Sequence, residues 1–381
     1  MNILNYSEDH MAFRQGFKQY IETHVSPHGP TWEANGIVPP DAWKRMGEAG
    51  YLCTWVPEQY HGKGLDFLYS VIVMEELVKA GQSGFMASLH SDIIVPYIAS
   101  YGSDAIKEKY LPGCVSGEII TAVAMTEPNA GSDLTAMAAT VVEDDNGYIL
   151  NGSKTFISNG INCNLAVIAA RDPKIDDPYA ALSLFVVADG TPGFTKGNKL
   201  AKMGLRSQDT AELFFSDCRI PKENLLGQKG NGFMMLMEKL QQERLVCAVS
   251  AVAGAEAVVE HTIDQARSMK NAMGKPLTKA QDVTFALVEM TTRIKMARTF
   301  VDMLVADHMD GKNMVIETSM AKYHTTDTLK EITYRAMDLL GEFGLDDTSF
   351  LARSMRDGRI MTIFAGTNEI MKEICAKFMG L

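Results

Sequence analysis

One glutamate of this sequence, Glu243, stands in a stripe of residues that is otherwise apolar. Counted in steps of three and four, as on one face of a helix, the stripe consists of Phe233, Leu236, Leu240, Glu243 and Cys247. A carboxylate on such a face is either paired with a cation, which keeps it inert, or left unpaired. Burial without a partner raises the pKa of a carboxyl group toward neutrality, which suits it to act as a general base. Glu243 is therefore a candidate base, with a structural ion pair as the alternative.

A second candidate for chemistry is the turn from Met125 to Asp133, which follows the apolar run Ile119 to Ala124. The turn contains a glycine and the hydroxyl groups of Thr126 and Ser132. Free backbone N–H groups and hydroxyls of this kind can hold a phosphate or the polar edge of a cofactor. The same residue types are typical of an ordinary turn after a strand, so both interpretations stand on the residues alone.

The composition excludes several classes of protein. A chain of 381 residues with 46% hydrophobic and 22% charged residues is typical of a globular protein of two or three domains. The net charge of −11 argues against nucleic-acid binding, although an acidic protein can still hold an anionic ligand on backbone N–H groups. No uninterrupted apolar run reaches the roughly 18 residues that a membrane span needs, so we expect no membrane association.

The cysteines and the first residues bear on the cellular location. The six cysteines are scattered singly, without paired spacing or a histidine cluster, so we expect reduced thiols, an intracellular protein and no metal site. The first residues have neither the pattern of a secretory signal nor that of a transit peptide. We therefore expect a cytoplasmic location.

Helical spacing dominates residues 1–118. Ser7 followed by Glu8 and Asp9 indicates the start of a first helix, and Pro27 and Pro30 mark its end. Further helices are predicted over Pro40 to Gly50, Leu68 to Val78, Ala87 to Ser100 and Asp104 to Leu111. This part of the chain is predicted to be an all-α domain.

The period of the apolar residues changes to two over residues 119–229, which indicates strands. Asn146-Gly147 is a strong hairpin signal between two of them. Further strands are predicted over Leu165 to Ala170, Leu182 to Val187 and Glu212 to Phe215. Short strands without intervening helices predict an antiparallel barrel or sandwich.

Helical spacing returns over residues 230–381 and continues to the end of the chain. Long helices are predicted over Gly232 to Met269, Leu277 to Met309 and Val315 to Leu340, with two shorter ones after Asp347. This number and length of helices is typical of a helical bundle, and the stripe with Glu243 lies on its first helix.

Five segments, spread in order over the chain, carry a family resemblance. They read AMTEPNAGSD from Ala124, NGSKTFISNG from Asn151, ENLLG from Glu223, RDGRI from Arg356 and FAGTNEI from Phe364. In these segments the chain resembles the acyl-CoA dehydrogenases, flavoproteins that introduce an α,β double bond into acyl thioesters. The resemblance implies an α+β multidomain fold: an N-terminal all-α domain, a middle antiparallel β-barrel domain and a C-terminal four-helix bundle.

The resemblance also implies FAD as cofactor and a set of residues that contact it. Those expected around the flavin ring are Val123, Met125, Thr126, Ser132, Phe156, Ile157 and Ser158, with Thr367 and Glu369 on the C-terminal side. Phe156 stands where the family usually has Trp, and the alternative for it is a strand residue in the core. Those expected to reach the flavin of a neighbouring subunit are Lys270, Gln281, Asp338 and Gly341.

Catalysis in this family needs a base that removes the α-proton of the acyl group. The usual glutamate directly before Gly-Thr is replaced here by Ala365. A branch that includes the isovaleryl-CoA and long-chain enzymes instead has the glutamate on a bundle helix before an arginine, which matches Glu243 and Arg244. The resemblance therefore implies Glu243 as base, with the Ala365 backbone N–H binding the thioester oxygen. It also implies substrate contacts for Ser132, Gln241 and Arg244, with a bundle ion pair as the alternative for Arg244.

Two departures from the family pattern concern the flavin of the neighbouring subunit. Lys270 stands where the family has an arginine, so the charge is kept and the bidentate fork is lost. Asp338 replaces a glutamine and adds negative charge near the expected diphosphate, whereas Gln281 matches the family. We therefore expect weaker flavin retention or a shifted pattern of contacts with the flavin.

Asp92 is a second carboxylate, in a segment that lines the acyl pocket of relatives. One interpretation is a carboxylate bonded to backbone; the other is a group that handles a polar, cyclic or unsaturated acyl chain, since burying it against a plain alkyl chain would be costly.

The function expected is α,β-dehydrogenation of an acyl-CoA in a homotetramer that passes electrons to an electron-transfer flavoprotein. One alternative is oxidase or other thioester chemistry on the same scaffold. A second alternative is a flavin-poor assembly protein without catalysis, which Lys270 and Asp338 alone would favour.

Overall fold

The computed structural model describes residues 3–381 and begins with a group of helices. They are α1 (Glu8–His24), α2 (Gly29–Asn35), α3 (Pro40–Glu48), α4 (Phe67–Lys79), α5 (Val95–Tyr101) and α6 (Asp104–Ser116). Helix α1 begins where the sequence predicts, because the Ser7 hydroxyl accepts a hydrogen bond from the backbone N–H of His10. The prolines after α1 were expected only to end it. Pro30 also lies at the start of the short helix α2, a position where proline costs no hydrogen bond.

The helix expected from Ala87 to Ser100 is divided into two parts. Residues Leu89–Ile94 form a π-helical segment, and α5 follows with Pro96 in its first turn. Pro96 has no backbone N–H, so an unbroken α-helical hydrogen-bond ladder cannot pass through it. All six residues of the π-helical segment are buried, and the segment packs against the long helix Gly232–Ser268. Segments of this kind occur frequently at functional sites.

Eight strands form one sheet after α6. They are β1 (Thr121–Ala124), β2 (Thr140–Asp144), β3 (Gly147–Ser158), β4 (Leu165–Arg171), β5 (Leu182–Ala188), β6 (Phe194–Lys199), β7 (Thr210–Ile220) and β8 (Leu225–Leu226). The predicted hairpin at Asn146-Gly147 joins β2 and β3. The strand order is β6-β7-β3-β2-β4-β5-β8, and β1 pairs with β4.

The sheet differs from the expected antiparallel barrel in two respects. Within residues 3–381 its path is open, with β6 and the two-residue β8 at its ends. The pairing of β1 with β4 is parallel, as is the contact of β2 with β4 at Thr140 and Arg171. A parallel partner is reached only through a long crossover, here through β2 and β3, and the period of a single strand carries no information about it.

The sheet is buried on both faces. Along β4, alternate residues Leu165, Val167 and Ala169 belong to the core shared with the helices. The residues between them, such as Ala166 and Ile168, belong to a second core within the β region. A strand buried on both sides reads as a continuous apolar run, as β4 does.

The last third of the chain is helical again. Its helices are α7 (Gly232–Ser268), α8 (Gln281–Met309), α9 (Val315–Leu340), α10 (Glu342–Leu345), α11 (Phe350–Met361) and α12 (Asn368–Met379). Helix α7 lies at the centre and packs against α4, α8, α9 and α11. The order of helices, sheet and helices confirms the predicted architecture, while the domain boundaries at residues 118 and 229 stay predictions.

Helix α7 is also the one helix in the described part of the chain that is long and apolar enough to cross a membrane. Of its most apolar stretch, 67% is buried inside the protein, as is common for a core helix. The first helices are joined to it through partly buried ion pairs. Arg298 on α8 bonds Glu75 on α4 and Glu256 on α7, each at 2.7 Å. This network fixes α4 and α7, which together line the site described next.

Candidate active site

A cavity of about 1110 Å³ lies between the two helical parts and the sheet. Its wall is contributed by α4, the π-helical segment, the end of β1 with the turn that follows, the end of β3, α7, and the connection between α11 and α12. Most of the lining side chains are apolar, including many of methionine, leucine and isoleucine. The cavity is therefore suited to a ligand with large apolar parts.

Glu243 lies in the wall of this cavity, on α7. Its Oε2 atom is shielded from solvent and has no hydrogen-bond partner among residues 3–381. Burial raises the pKa of Glu243 to about 7, and the charges of Arg244 and Lys322 act in the opposite direction. At neutral pH the carboxyl group is thus divided between its two protonation states, as the interpretation as a base requires.

Arg244, the next residue, is buried and also lines the cavity. Its Nη1 atom donates to the Ser319 hydroxyl on α9 at 3.2 Å, a neutral partner. Its Nε atom is buried without a partner in the described part of the chain. Burial lowers the pKa of Arg244, and the charge of Glu243 raises it. Within residues 3–381 Arg244 forms no direct ion pair, which was the alternative interpretation of this residue. The positive charge of the guanidinium lowers the pKa of Glu243, and its Nε–H has no hydrogen-bond partner among residues 3–381.

Ala365 lies in the cavity wall between α11 and α12. Its backbone has a φ of 55°, a left-handed conformation that is uncommon for a residue other than glycine. Its backbone N–H makes no hydrogen bond within residues 3–381, although its neighbour Phe364 donates to Ile360. An unpaired N–H on a strained turn beside a cavity is available to bind a ligand oxygen.

Phe156 is the most exposed aromatic residue of the cavity wall. Its side chain is 67% exposed, and its backbone φ is 56°. The pairing of β3 with β7 shifts register between Lys154 and Ile157, so Phe156 lies in an irregularity that turns its ring out of the sheet. The alternative of a core strand residue is therefore wrong, and the ring faces the cavity.

A buried ion pair supports this part of the wall. Lys154 Nζ donates to Glu127 at 2.7 Å and to the carbonyl of Met125 at 3.2 Å. Glu127 also accepts from the backbone N–H groups of Ala138 and Ala139, at 2.6 and 3.1 Å. The pair thus fixes the turn that begins at Met125 beside β3. Sequence reasoning assigned no role to Lys154, because a lysine in a strand usually points to solvent.

The structure brings most of the expected flavin-ring residues to one cavity. Those in the wall are Val123, Met125, Thr126, Ser132, Phe156, Ile157, Ser158 and Thr367. The Thr367 hydroxyl also caps α12 by accepting from the backbone N–H of Ile370 at 3.2 Å. Glu369 lies elsewhere, in a separate polar depression of about 410 Å³. Their roles toward a flavin stay predictions.

Four further expected flavin residues lie on the surface, away from the cavity. Lys270 is in the connection after α7, Gln281 begins α8, Asp338 is near the end of α9, and Gly341 follows α9. All four are exposed in the single chain. The sequence predicts that these four residues contact the flavin of a neighbouring subunit. That prediction therefore concerns an assembly of several chains rather than this cavity.

Gln241 and Asp92 do not line the cavity, unlike the expectation for substrate contacts. The Gln241 amide bonds the connection between α8 and α9, accepting from Met314 N at 2.7 Å. It is thus bound to a loop rather than to the cavity. Asp92 is buried in the π-helical segment, where its neighbours Leu89 and Ile93 face the cavity instead. Its Oδ1 atom has no partner among the described residues, and burial raises the pKa of Asp92 to about 7.

Sequence models of known families match the chain in three successive parts. The acyl-CoA dehydrogenase N-terminal domain matches residues 7–118, the middle domain residues 122–218 and the C-terminal domain residues 230–380. Across 373 residues the chain is 39% identical to the mitochondrial long-chain specific acyl-CoA dehydrogenase of Sus scrofa, which covers 98% of this chain and 86% of that protein.

Solved structures give the same result. The crystal structure of an acyl-CoA dehydrogenase from Geobacillus kaustophilus matches with a TM-score of 0.97 and 49% identity, over 99% of both chains. The FAD complex of PigA matches with a TM-score of 0.93 and 27% identity, also over 99% of both. The fold and the cavity define the class of flavin-dependent oxidoreductases that act on a CH–CH group. Within that class the chain belongs to the acyl-CoA dehydrogenase family, whose cofactor is FAD.

Proposed function

We propose that the protein catalyses the FAD-dependent α,β-dehydrogenation of an acyl-CoA thioester, with Glu243 as the base that removes the α-proton. The main support for this proposal is the position of Glu243, whose carboxyl group lies in the wall of the apolar cavity with Oε2 unpaired among residues 3–381. A base with a pKa of about 7 is better matched to a weakly acidic α-carbon than an ordinary glutamate is. The family position for the base holds Ala365, so no carboxylate competes there.

The cavity fits an FAD ring system. The exposed ring of Phe156 offers an aromatic face, and the turn with Thr126 and Ser132 offers hydroxyl groups at the edge of the same space. When bound there, the flavin accepts a hydride from the β-carbon of the substrate. The protein's own part is to hold the acyl chain between Phe156 and Glu243 and to keep water from this space.

The thioester oxygen gains negative charge as the α-proton leaves, and a hydrogen-bond donor must meet it. The Ala365 backbone N–H is unpaired and lies in the cavity wall, so we assign it this role. Arg244 supports the base from the same helix: its positive charge favours the ionised form of Glu243, which burial opposes.

The test compares Glu243→Gln with the wild-type enzyme. Each protein is mixed under anaerobic conditions with straight, branched and cyclic acyl-CoAs, and reduction of the flavin is followed by its absorbance. We expect the variant to bind flavin normally and to reduce it at least on the order of 10²-fold more slowly, as for loss of a general base. Glu238→Gln is the matched control, because Glu238 lies on the same helix with its side chain 66% exposed. Turnover of Glu243→Gln at the wild-type rate would remove Glu243 from this role.

We further propose that the electrons pass to an electron-transfer flavoprotein. An oxidase would instead reoxidise rapidly in air. Turnover with a purified electron-transfer flavoprotein, combined with slow oxygen consumption in its absence, is the result expected; fast oxygen consumption would favour the oxidase alternative.

We also propose a homotetramer, and one face of α8 supports an interface between copies of the chain. This face leaves apolar side chains exposed at helical spacing, namely Phe285, Val288, Met296 and Met303. Light scattering at the concentration of the assay measures the assembly. We expect Val288→Glu with Met296→Glu to reduce its mass, whereas Met11→Glu on α1, also an exposed methionine, leaves it unchanged.

A further inference from the structure

Lys322 is a fully buried lysine of α9 that lies behind the cavity wall rather than in it. Its Nζ atom donates to the carbonyl oxygen of Gly366 at 2.6 Å and to the side-chain oxygen of Asn368 at 3.1 Å. Both acceptors are neutral. A buried ammonium group is costly unless it is paired with an opposite charge, so its position needs an explanation other than an ordinary salt bridge.

Gly366 belongs to the turn that carries Ala365, and Asn368 is the first residue of the helix that follows it. Ala365 and Gly366 both have left-handed backbones, with φ of 55° and 85°. A turn with alanine in that conformation persists only where its surroundings hold it. The Lys322 ammonium group donates to the carbonyl oxygen of Gly366 within the turn and to the side chain of Asn368, where α12 begins. The Asn368 amide is itself fixed, since it donates to the Thr326 hydroxyl at 3.1 Å.

The charge of Lys322 also reaches the base. It lowers the pKa of Glu243, as Arg244 does, and it acts on Cys247 one turn further along α7. The titratable and charged groups around Glu243 are Arg244 and Cys247 on its own helix, Lys322 on α9 and Tyr97 on α5. Tyr97 is neutral at physiological pH because burial raises the pKa of its hydroxyl group. Among residues 3–381, Lys322 is thus the cation on another element whose charge lowers the pKa of Glu243.

We propose that Lys322 is a positioning residue, which holds the Ala365–Gly366 turn from behind the cavity wall and places a positive charge on the side of α9 toward Glu243. Its hydrogen bonds orient the backbone N–H that receives the thioester oxygen. Its charge favours the ionised form of Glu243, which burial opposes. This inference rests on the proposed function, since it concerns the base and the oxygen site assigned there.

Two variants separate the two effects. Lys322→Met removes both the charge and the hydrogen bonds. We expect kcat to fall on the order of 10- to 100-fold with KM nearly unchanged, because the loss concerns groups that act in the transition state. We also expect the acidic limb of the profile of kcat/KM against pH to move to higher pH. Lys322→Arg keeps the charge but does not fit the same two acceptors, so kcat falls while the acidic limb stays in place.

Lys44→Met serves as the control, because Lys44 is 49% exposed and pairs with Glu118 on the surface. Flavin content and thermal unfolding establish that each variant is folded. A folded Lys322→Met with wild-type kcat and pH profile would overturn the inference, as would a Lys322→Arg variant whose limb shifts like that of Lys322→Met. If Lys322→Met does not fold, the test rests on kcat of Lys322→Arg. A wild-type kcat in that variant would refute the positioning role of Lys322. Failure of the proposed function shows separately, as wild-type turnover in Glu243→Gln.

Discussion

The raised pKa of Glu243 predicts a steep dependence of activity on pH. Removal of the α-proton requires the ionised carboxylate, so kcat/KM must rise as the pH rises through about 7. With that pKa, the ionised fraction is about 0.9 at pH 8 and about 0.01 at pH 5, so kcat/KM should fall about 90-fold between them. A base with the ordinary glutamate pKa of 4.5 would lose only about a quarter of its activity over the same range.

The assay is turnover of one acyl-CoA, well below KM, with an artificial electron acceptor and at constant ionic strength. Because kcat/KM reports groups of the free enzyme, its inflection gives the pKa of the base before the substrate binds. A substrate deuterated at the α-carbon shows whether proton removal limits the rate at each pH. Return of a sample from pH 5 to pH 8 shows that the loss is reversible.

A second carboxyl group has to be separated from the first, because Asp92 has a pKa raised to about 7 as well. The inflection must therefore persist in Asp92→Asn and be absent from the residual activity of Glu243→Gln. A flat profile between pH 5 and pH 8 in the wild-type enzyme would refute the assignment of a buried base. Persistence of the inflection in Glu243→Gln would refute the assignment to this residue.

Three further predictions follow from the same geometry. Between pH 4.5 and about 7 the folded chain keeps the proton of Glu243, whereas the unfolded chain has lost it, so the free energy of unfolding falls as the pH rises through this window. Glu243→Gln should therefore be more stable than wild type in urea titrations at pH 8, by up to about 3 kcal/mol, and no more stable at pH 4. Glu243→Ala combined with Ala365→Glu should recover part of the activity lost in Glu243→Ala, since both positions line one cavity; equal rates for the single and the double variant would contradict this. Lys154→Met leaves Glu127 buried without its partner and should destabilise the fold by about 3–5 kcal/mol in urea titrations, with added Glu127→Gln restoring part of the loss.

The long helices of the last third of the chain were predictable to within a few residues. Helix α7 was expected from Gly232 to Met269 and spans Gly232–Ser268, and α9 agrees at both ends. Their apolar residues repeat over many turns, and prolines and glycines mark their limits. Strand β6 was missed, because its sequence Phe194–Lys199 is largely polar and lies at an edge of the sheet.

The site was predictable only where a residue disagreed with its surroundings. Glu243 stood out because it interrupts an apolar stripe. Lys322 did not, because it lies among threonines and serines on a face that reads as solvated. That face is buried, and its hydroxyl groups, such as those of Thr318 and Thr325, bond carbonyls one turn earlier in the same helix. A polar face made compatible with burial in this way has no signature in hydrophobic periodicity.

Glu243 and Asp92 show why a perturbed pKa by itself does not identify a base. Burial raises the pKa of both to about 7, and each has one oxygen without a partner within residues 3–381. They differ in what they face. Glu243 lies in the cavity wall, whereas Asp92 is turned away from it within the π-helical segment, and the Gln242 side chain donates to the Asp92 backbone carbonyl at 2.7 Å. A base must reach the proton that it removes. Contact with the cavity therefore distinguishes Glu243 from Asp92, although burial raises the pKa of both to about 7.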